Sequence, residues 1–110
     1  MKLLLPAALA GLMCLHTARA ETFAMIGAGA DSCGTWTADR RDPKGLAAVQ
    51  DAQWVIGFLS GVGWIGDTDD NPLKGMDAEG VWGWVDNYCR EHPIKQIVDA
   101  ATAFYHEHPH

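Results

Sequence analysis

The chain has 110 residues, of which 48% are hydrophobic and 20% charged, with a formal net charge of −6. That length supports one small core and falls short of two domains. The acidic balance argues against nucleic acid and anionic membrane as partners and is compatible with a basic protein.

Met1–Ala20 reads as a secretory signal. Lys2 supplies the positive start, Leu3–Leu15 the apolar run, and Ala18-Arg19-Ala20 the small residues wanted before a cleavage site. The run is too short to span a bilayer, and Gly11-Leu12-Met13 lacks the small residue wanted before a lipidated cysteine at Cys14. Cleavage after Ala20 removes Cys14 and leaves Cys33 and Cys89 in an oxidising compartment, periplasmic or secreted, where one disulfide is expected. In the 90 residues that follow, six basic residues face 14 acidic ones. A Cys33–Cys89 bridge closes a loop of about 57 residues, worth about 4 kcal/mol on the chain-entropy model.

The expected organisation is a signal over residues 1–20, an extended arm over 21–31 and a helical domain over 32–110. The arm is Ala/Gly-rich (Ile26-Gly27-Ala28-Gly29-Ala30). Ser32 is a good N-cap for a short helix carrying Cys33, Trp36 and Arg40. Asp42-Pro43 has the form of an N-cap followed by proline at N1, opening a second helix. From Trp54 to Ile65 the one polar side chain is Ser60, which reads as a buried central helix. Gly57, Gly61 and Gly63 within it each cost about 1 kcal/mol against alanine, so close packing of another element on this backbone is expected.

Asp67–Asn71 forms an acidic loop, and Asp77 caps a third helix that ends at His92-Pro93. On a helical wheel Val81, Val85, Tyr88 and Cys89 share an arc with Trp82 and Trp84 at its edges. Asp86 and Arg90 are spaced for an i,i+4 ion pair on the far side. Pro93 is placed to start a fourth helix, with Ile94, Ile97, Val98, Ala101, Phe104 and Tyr105 facing inward. No strand-like alternation occurs. The fold class is all-α, a three- to four-helix domain stapled by one disulfide.

Trp54-Val55-Ile56-Gly57-Phe58-Leu59-Ser60-Gly61, Tyr88-Cys89, His92-Pro93, Ile97-Val98-Asp99-Ala100-Ala101 and the closing His108-Pro109 together resemble the Tai-type immunity proteins. These are small periplasmic helical proteins that protect bacteria from type VI-secreted peptidoglycan amidases. The resemblance is specific in the Cys89-x-x-x-Pro93 step and the helix after it, and implies a non-enzymatic inhibitor of a secreted cell-wall hydrolase. The family carries a further cysteine on its Gly-containing helix, where this chain has Gln53-Trp54. A second, architectural resemblance is to HdeA-type acid-stress chaperones. It implies a bundle that loosens and exposes apolar surface when its carboxylates and histidines take up protons.

Candidate chemistry is sparse. Cys89 and His92 are three apart, but export and Cys33 favour a disulfide over a thiolate nucleophile. His106, His108 and His110 alternate at the C-terminal end and are weak metal candidates, set against a frayed exposed tail. Asp67-x-Asp69-x-Asn71 begins like a calcium loop, but Pro72 replaces the glycine and Ala78 the closing glutamate. Gly57-Phe58-Leu59-Ser60-Gly61 is not a nucleophile elbow, since its serine is one place late. No base–nucleophile–orienter set assembles, so no enzyme and no cofactor are expected. The favoured surface for a protein partner is Trp82, Trp84 and the acidic loop Asp67, Asp69 and Asp70. The aromatic excess is also compatible with a homodimer.

Overall fold

In a computed structural model describing residues 24–66 and 71–108, four α-helices and one 3-10 turn pack around a disulfide, and no strand forms among the described residues. Residues 1–20, which the sequence reads as a secretory signal, lie outside the described residues, as do Asp67, Asp69, Asp70 and His110. The helices are α1 (Cys33–Asp39), α2 (Leu46–Ile65), α3 (Ala78–Glu91) and α4 (Ile97–Glu107), and the 3-10 turn is Ala28–Ala30. None of the described helices is long and apolar enough to cross a membrane.

Helix α1 begins where Ser32 Oγ accepts the Thr35 N–H at 3.1 Å. Its first two amides find partners in a distant segment: Cys33 N–H donates to the Lys95 carbonyl at 2.7 Å and Gly34 N–H to the Pro93 carbonyl at 3.0 Å. That use of the Pro93–Lys95 carbonyls explains why α4 does not start at Pro93. The segment is committed to capping α1, so α4 starts at Ile97 behind a Gln96/Asp99 capping box. Ile94, expected to face inward, is 92% exposed as a result.

The α1–α2 link also departs from expectation. Gly45 N–H donates to the Asp42 carbonyl at 2.9 Å, closing a turn around Pro43-Lys44. Pro43 therefore serves the turn, and Gly45 is the N-cap of α2. Along α2, Ala48, Asp51, Ala52, Val55 and Leu59 are buried at helical spacing. The C-terminal end of α2 is not buried all round, and Trp64 is 88% exposed. Close packing on its glycines is also absent at two positions: among the described residues, a Cβ at Gly57 or Gly61 would meet nothing within 4 Å. Gly63 alone of the three is crowded, by the Asn71 side chain.

Asp77 Oδ1 accepts the Gly80 N–H at 2.7 Å and starts α3, whose buried residues are Val81, Val85 and Cys89. The core is continuous from Cys33 and Trp36 through Val55, Leu59, Val81 and Val85 to Ile97, Ala101 and Phe104. At its centre the Cys33–Cys89 disulfide joins α1 to α3, with the two Cα atoms 4.6 Å apart. An antiparallel bridge between Ser32 and Gln96 ties the entry of α1 to the entry of α4.

Candidate functional site

The two tryptophans at the edges of the α3 arc take different roles. Trp82 is half-buried and donates its indole N–H to the Ala52 carbonyl of α2 at 2.9 Å. That bond satisfies its polar end, and the ring closes the α2–α3 seam. Trp84 is half-buried on the other edge, where it meets the edge of Phe104 at 5.4 Å and of His108 at 5.8 Å between ring centroids. It stacks on Tyr88 at 5.6 Å, and Tyr88 in turn lies 4.4 Å from the His92 ring. Trp84, Tyr88 and His92 follow one another at i, i+4 and i+8, so α3 carries an aromatic row along one face.

This row forms one wall of a cleft of about 260 Å³ between the C-terminal ends of α3 and α4. Trp84, Tyr88 and His92 line it together with Asn87, Glu91 and Glu107. Glu91 and Glu107 are exposed and come from different helices, yet they border the same opening. Aromatic faces beside carboxylates suit a cation, through ring quadrupoles and through charge-assisted hydrogen bonds. The carboxylates that share a cleft with Trp84 are thus Glu91 and Glu107 and not those of the acidic loop, which lies outside the described residues. On a helical wheel Glu91 falls on the polar side of α3. Its meeting with Glu107 depends on how α4 crosses, which no local pattern states.

Of the C-terminal histidines within the described residues, His106 and His108 do not converge. His106 is exposed and lies beside Tyr105, whereas His108 stacks on Phe104 at 4.1 Å with its Nδ1 2.8 Å from the Phe104 carbonyl. Among the described residues no three or more His, Cys, Asp or Glu side chains are arranged to hold a metal. Cys89 is bonded to Cys33 and holds no free thiolate for His92 to activate.

Asp86 is a structural carboxylate. It accepts the buried Trp36 indole N–H at 2.8 Å and two Arg40 N–H groups at 3.0 and 3.2 Å. The expected Asp86–Arg90 pair is replaced by this cross-helix cluster, and Arg90 donates to Asn87 Oδ1 at 2.8 Å instead. A second carboxylate, Asp51, was also passed over. It is the one charged residue of α2 and lies on the same stripe as Ala48 and Val55, which was the readable signal. Burial first, then the neighbouring Asp39 carboxyl and Asp31, push its pKa up from 3.8 to about 6.

No family model matches the chain, and neither a curated protein nor a solved structure was found that matches it. The resemblances to Tai-type and HdeA-type proteins therefore stand on the quoted residues alone.

Proposed function

We propose that this chain is an exported, non-enzymatic protein-binding module that takes a cationic side chain of a basic partner into the Trp84–Tyr88 cleft. The observation that carries this reading is that Glu91 and Glu107, from two helices, line one aromatic-walled cleft. An arginine fits the surroundings best, because its planar guanidinium stacks on rings and forks onto carboxylates. Half-buried rings such as Trp84 and Tyr88 are effective contact anchors, since little side-chain freedom is left to lose.

The partner class proposed is a secreted cell-wall hydrolase, held inactive as in the immunity proteins that the sequence resembles. The leader-like Met1–Ala20, the Cys33–Cys89 disulfide and the acidic balance support this setting. The experiment is a competition in which a strain lacking this protein meets neighbours that secrete peptidoglycan amidases. The deletion strain should lyse, the wild-type gene should rescue it, and a Trp84→Ala gene should not. Equal survival of the deletion strain removes the immunity reading.

The acid-chaperone alternative needs a bundle that loosens on protonation. Asp51 works against it, because protonating a buried carboxylate that faces two others relieves repulsion. Metal handling by the histidines finds no support in the separation of His106 from His108.

A further inference from the structure

Helix α2 has 20 residues and is therefore about 30 Å long. Leu46, Gln50, Gln53, Gly57, Ser60 and Trp64 form its outer stripe, and all six are exposed. They recur in alternating steps of four and three, the spacing with which one helix lies along another. Leu46 is 74% and Trp64 88% exposed, with Val49 and Ile65 exposed beside them. Large apolar side chains left open at both ends of one face mark a surface that associates.

The face carries no charge. Asp51 is the one charged residue of α2 and lies on the buried stripe. By contrast, α3 exposes Glu79, Arg90 and Glu91, and α4 exposes Glu107. A chain of net charge −6 repels its own copies, so contact between copies is confined to a face without acidic groups. A basic partner gains nothing from such a face, whereas a second copy loses nothing there.

The stripe is also complementary to itself. A two-fold pair requires that residue i meet residue j and that j meet i. A second α2 running antiparallel, with the two-fold axis level with Val55, sets Leu46 against Trp64, Gln50 against Ser60 and Gln53 against Gly57. The first pair joins two large apolar side chains, and the second an amide and a hydroxyl able to hydrogen-bond. The third sets a long side chain over an opening, since a Cβ at Gly57 would meet nothing among the described residues. Around Trp64 a hollow of about 470 Å³ is lined by Ser60, Gly63, Asn71 and Leu73. In this register Leu46 and Val49 of the second copy arrive at that hollow. A parallel pair sets each residue against itself, with Gly57 facing Gly57, and leaves the gap unfilled.

We propose that the outer stripe of α2 is a self-association face, on which two copies of this chain pair antiparallel with Leu46 of each against Trp64 of the other. One helix face supplies roughly 1,000 Å² of buried surface, the low end for a specific interface, so the dimer forms as concentration rises. In dilute solution the monomer prevails, and Gly57 and Gly61 stay open. The inference goes beyond the partner-binding reading and does not depend on it, because no residue of α2 lines the cleft at Trp84. The dimer presents two such clefts.

The test is sedimentation velocity on the disulfide-intact chain, from low micromolar to millimolar concentration. The wild type should shift from the monomer mass to twice that mass. Leu46→Glu and Trp64→Lys each put a charge on the face and should stay monomeric throughout. Both side chains are exposed, so the far-UV circular dichroism of the variants should match the wild type. Mixed one to one, the two variants should form a dimer again, because the antiparallel register sets residue 46 of one chain against residue 64 of the other. A wild type that stays monomeric overturns the proposal, and so does a dimer that survives either substitution or a mixture that fails to recover. If the monomeric wild type instead binds phosphatidylcholine vesicles and Trp64→Lys does not, the face belongs to a lipid surface.

Discussion

The Trp36 indole N–H donates to Asp86 Oδ1 at 2.8 Å across the α1–α3 junction. Trp36 is fully buried, so this bond gives the short helix α1 a polar anchor beside its disulfide. Arg40 then neutralises the same carboxylate from the end of α1. Asp86→Ala should therefore cost about 2–3 kcal/mol, because it strands a buried donor as well as removing an ion pair. Asp86→Asn keeps an acceptor for the indole and should cost less. Urea denaturation of the two variants checks the order. A smaller loss in Asp86→Ala than in Asp86→Asn contradicts the assignment.

The disulfide is the second anchor of α1. Cys33 and Cys89 are both fully buried, and the separation of 56 residues puts its removal at about 4 kcal/mol on the entropic model. For a domain of this size each kcal/mol moves Tm by about 4–8 °C. Melts with and without reductant should differ by tens of degrees. An unchanged Tm under full reduction would show that α1 holds by packing alone.

Glycines on α2 separate open from occupied surface. Gly57→Ala and Gly61→Ala add a Cβ that meets nothing among the described residues and should each stabilise by about 0.5–1 kcal/mol. Gly29→Ala drives a Cβ into the Trp54 ring and should destabilise by about 1–3 kcal/mol. Thermal melts of the three variants test this contrast. Destabilisation at Gly57 or Gly61 would mean that something packs on that face in solution.

Stability should also fall with rising pH in the window set by Asp51. Its pKa is raised from 3.8 to about 6, so the folded chain binds more protons than the unfolded chain between those values. The stabilisation is fully present below 3.8 and is lost as pH rises through about 6. Its size is about 3 kcal/mol as an order of magnitude. Asp51→Asn should then stabilise the fold at neutral pH and have little effect near pH 4. A variant that destabilises equally at both pH values contradicts this sign.

Much of this architecture was legible in the chain. Ser32 and Asp77 announce α1 and α3 because a short polar side chain before an apolar stripe has one productive use, to cap. Cys33 and Cys89, the two cysteines beyond the leader-like segment, are bonded as expected, and the inward arc of α3 placed Cys89 correctly. What escaped depends on long-range hydrogen bonds. The carbonyls of Pro93 and Lys95 serve α1 from sixty residues away, so Ile94 looks inward-facing only while that use is unknown. Arg40 reaches Asp86 across helices, which outcompetes the local spacing of Asp86 and Arg90. The glycines of α2 imply close packing only if a neighbour arrives, and at Gly57 and Gly61 none does among the described residues. For the site, Trp84 was legible as an edge residue. Glu91 and Glu107 were not, since their meeting depends on the crossing of α3 and α4.

The proposed role of the Trp84–Tyr88 cleft is to hold a basic partner. The most direct measurement is a parallel capture from secreted and periplasmic fractions with three oxidised baits: the wild type, Trp84→Ala, and the double variant Glu91→Gln with Glu107→Gln. The wild type should retain one basic cell-wall hydrolase whose activity is suppressed in the complex, and both variants should lose it. Retention of the same hydrolase by all three baits, or its full activity when bound, would contradict the account.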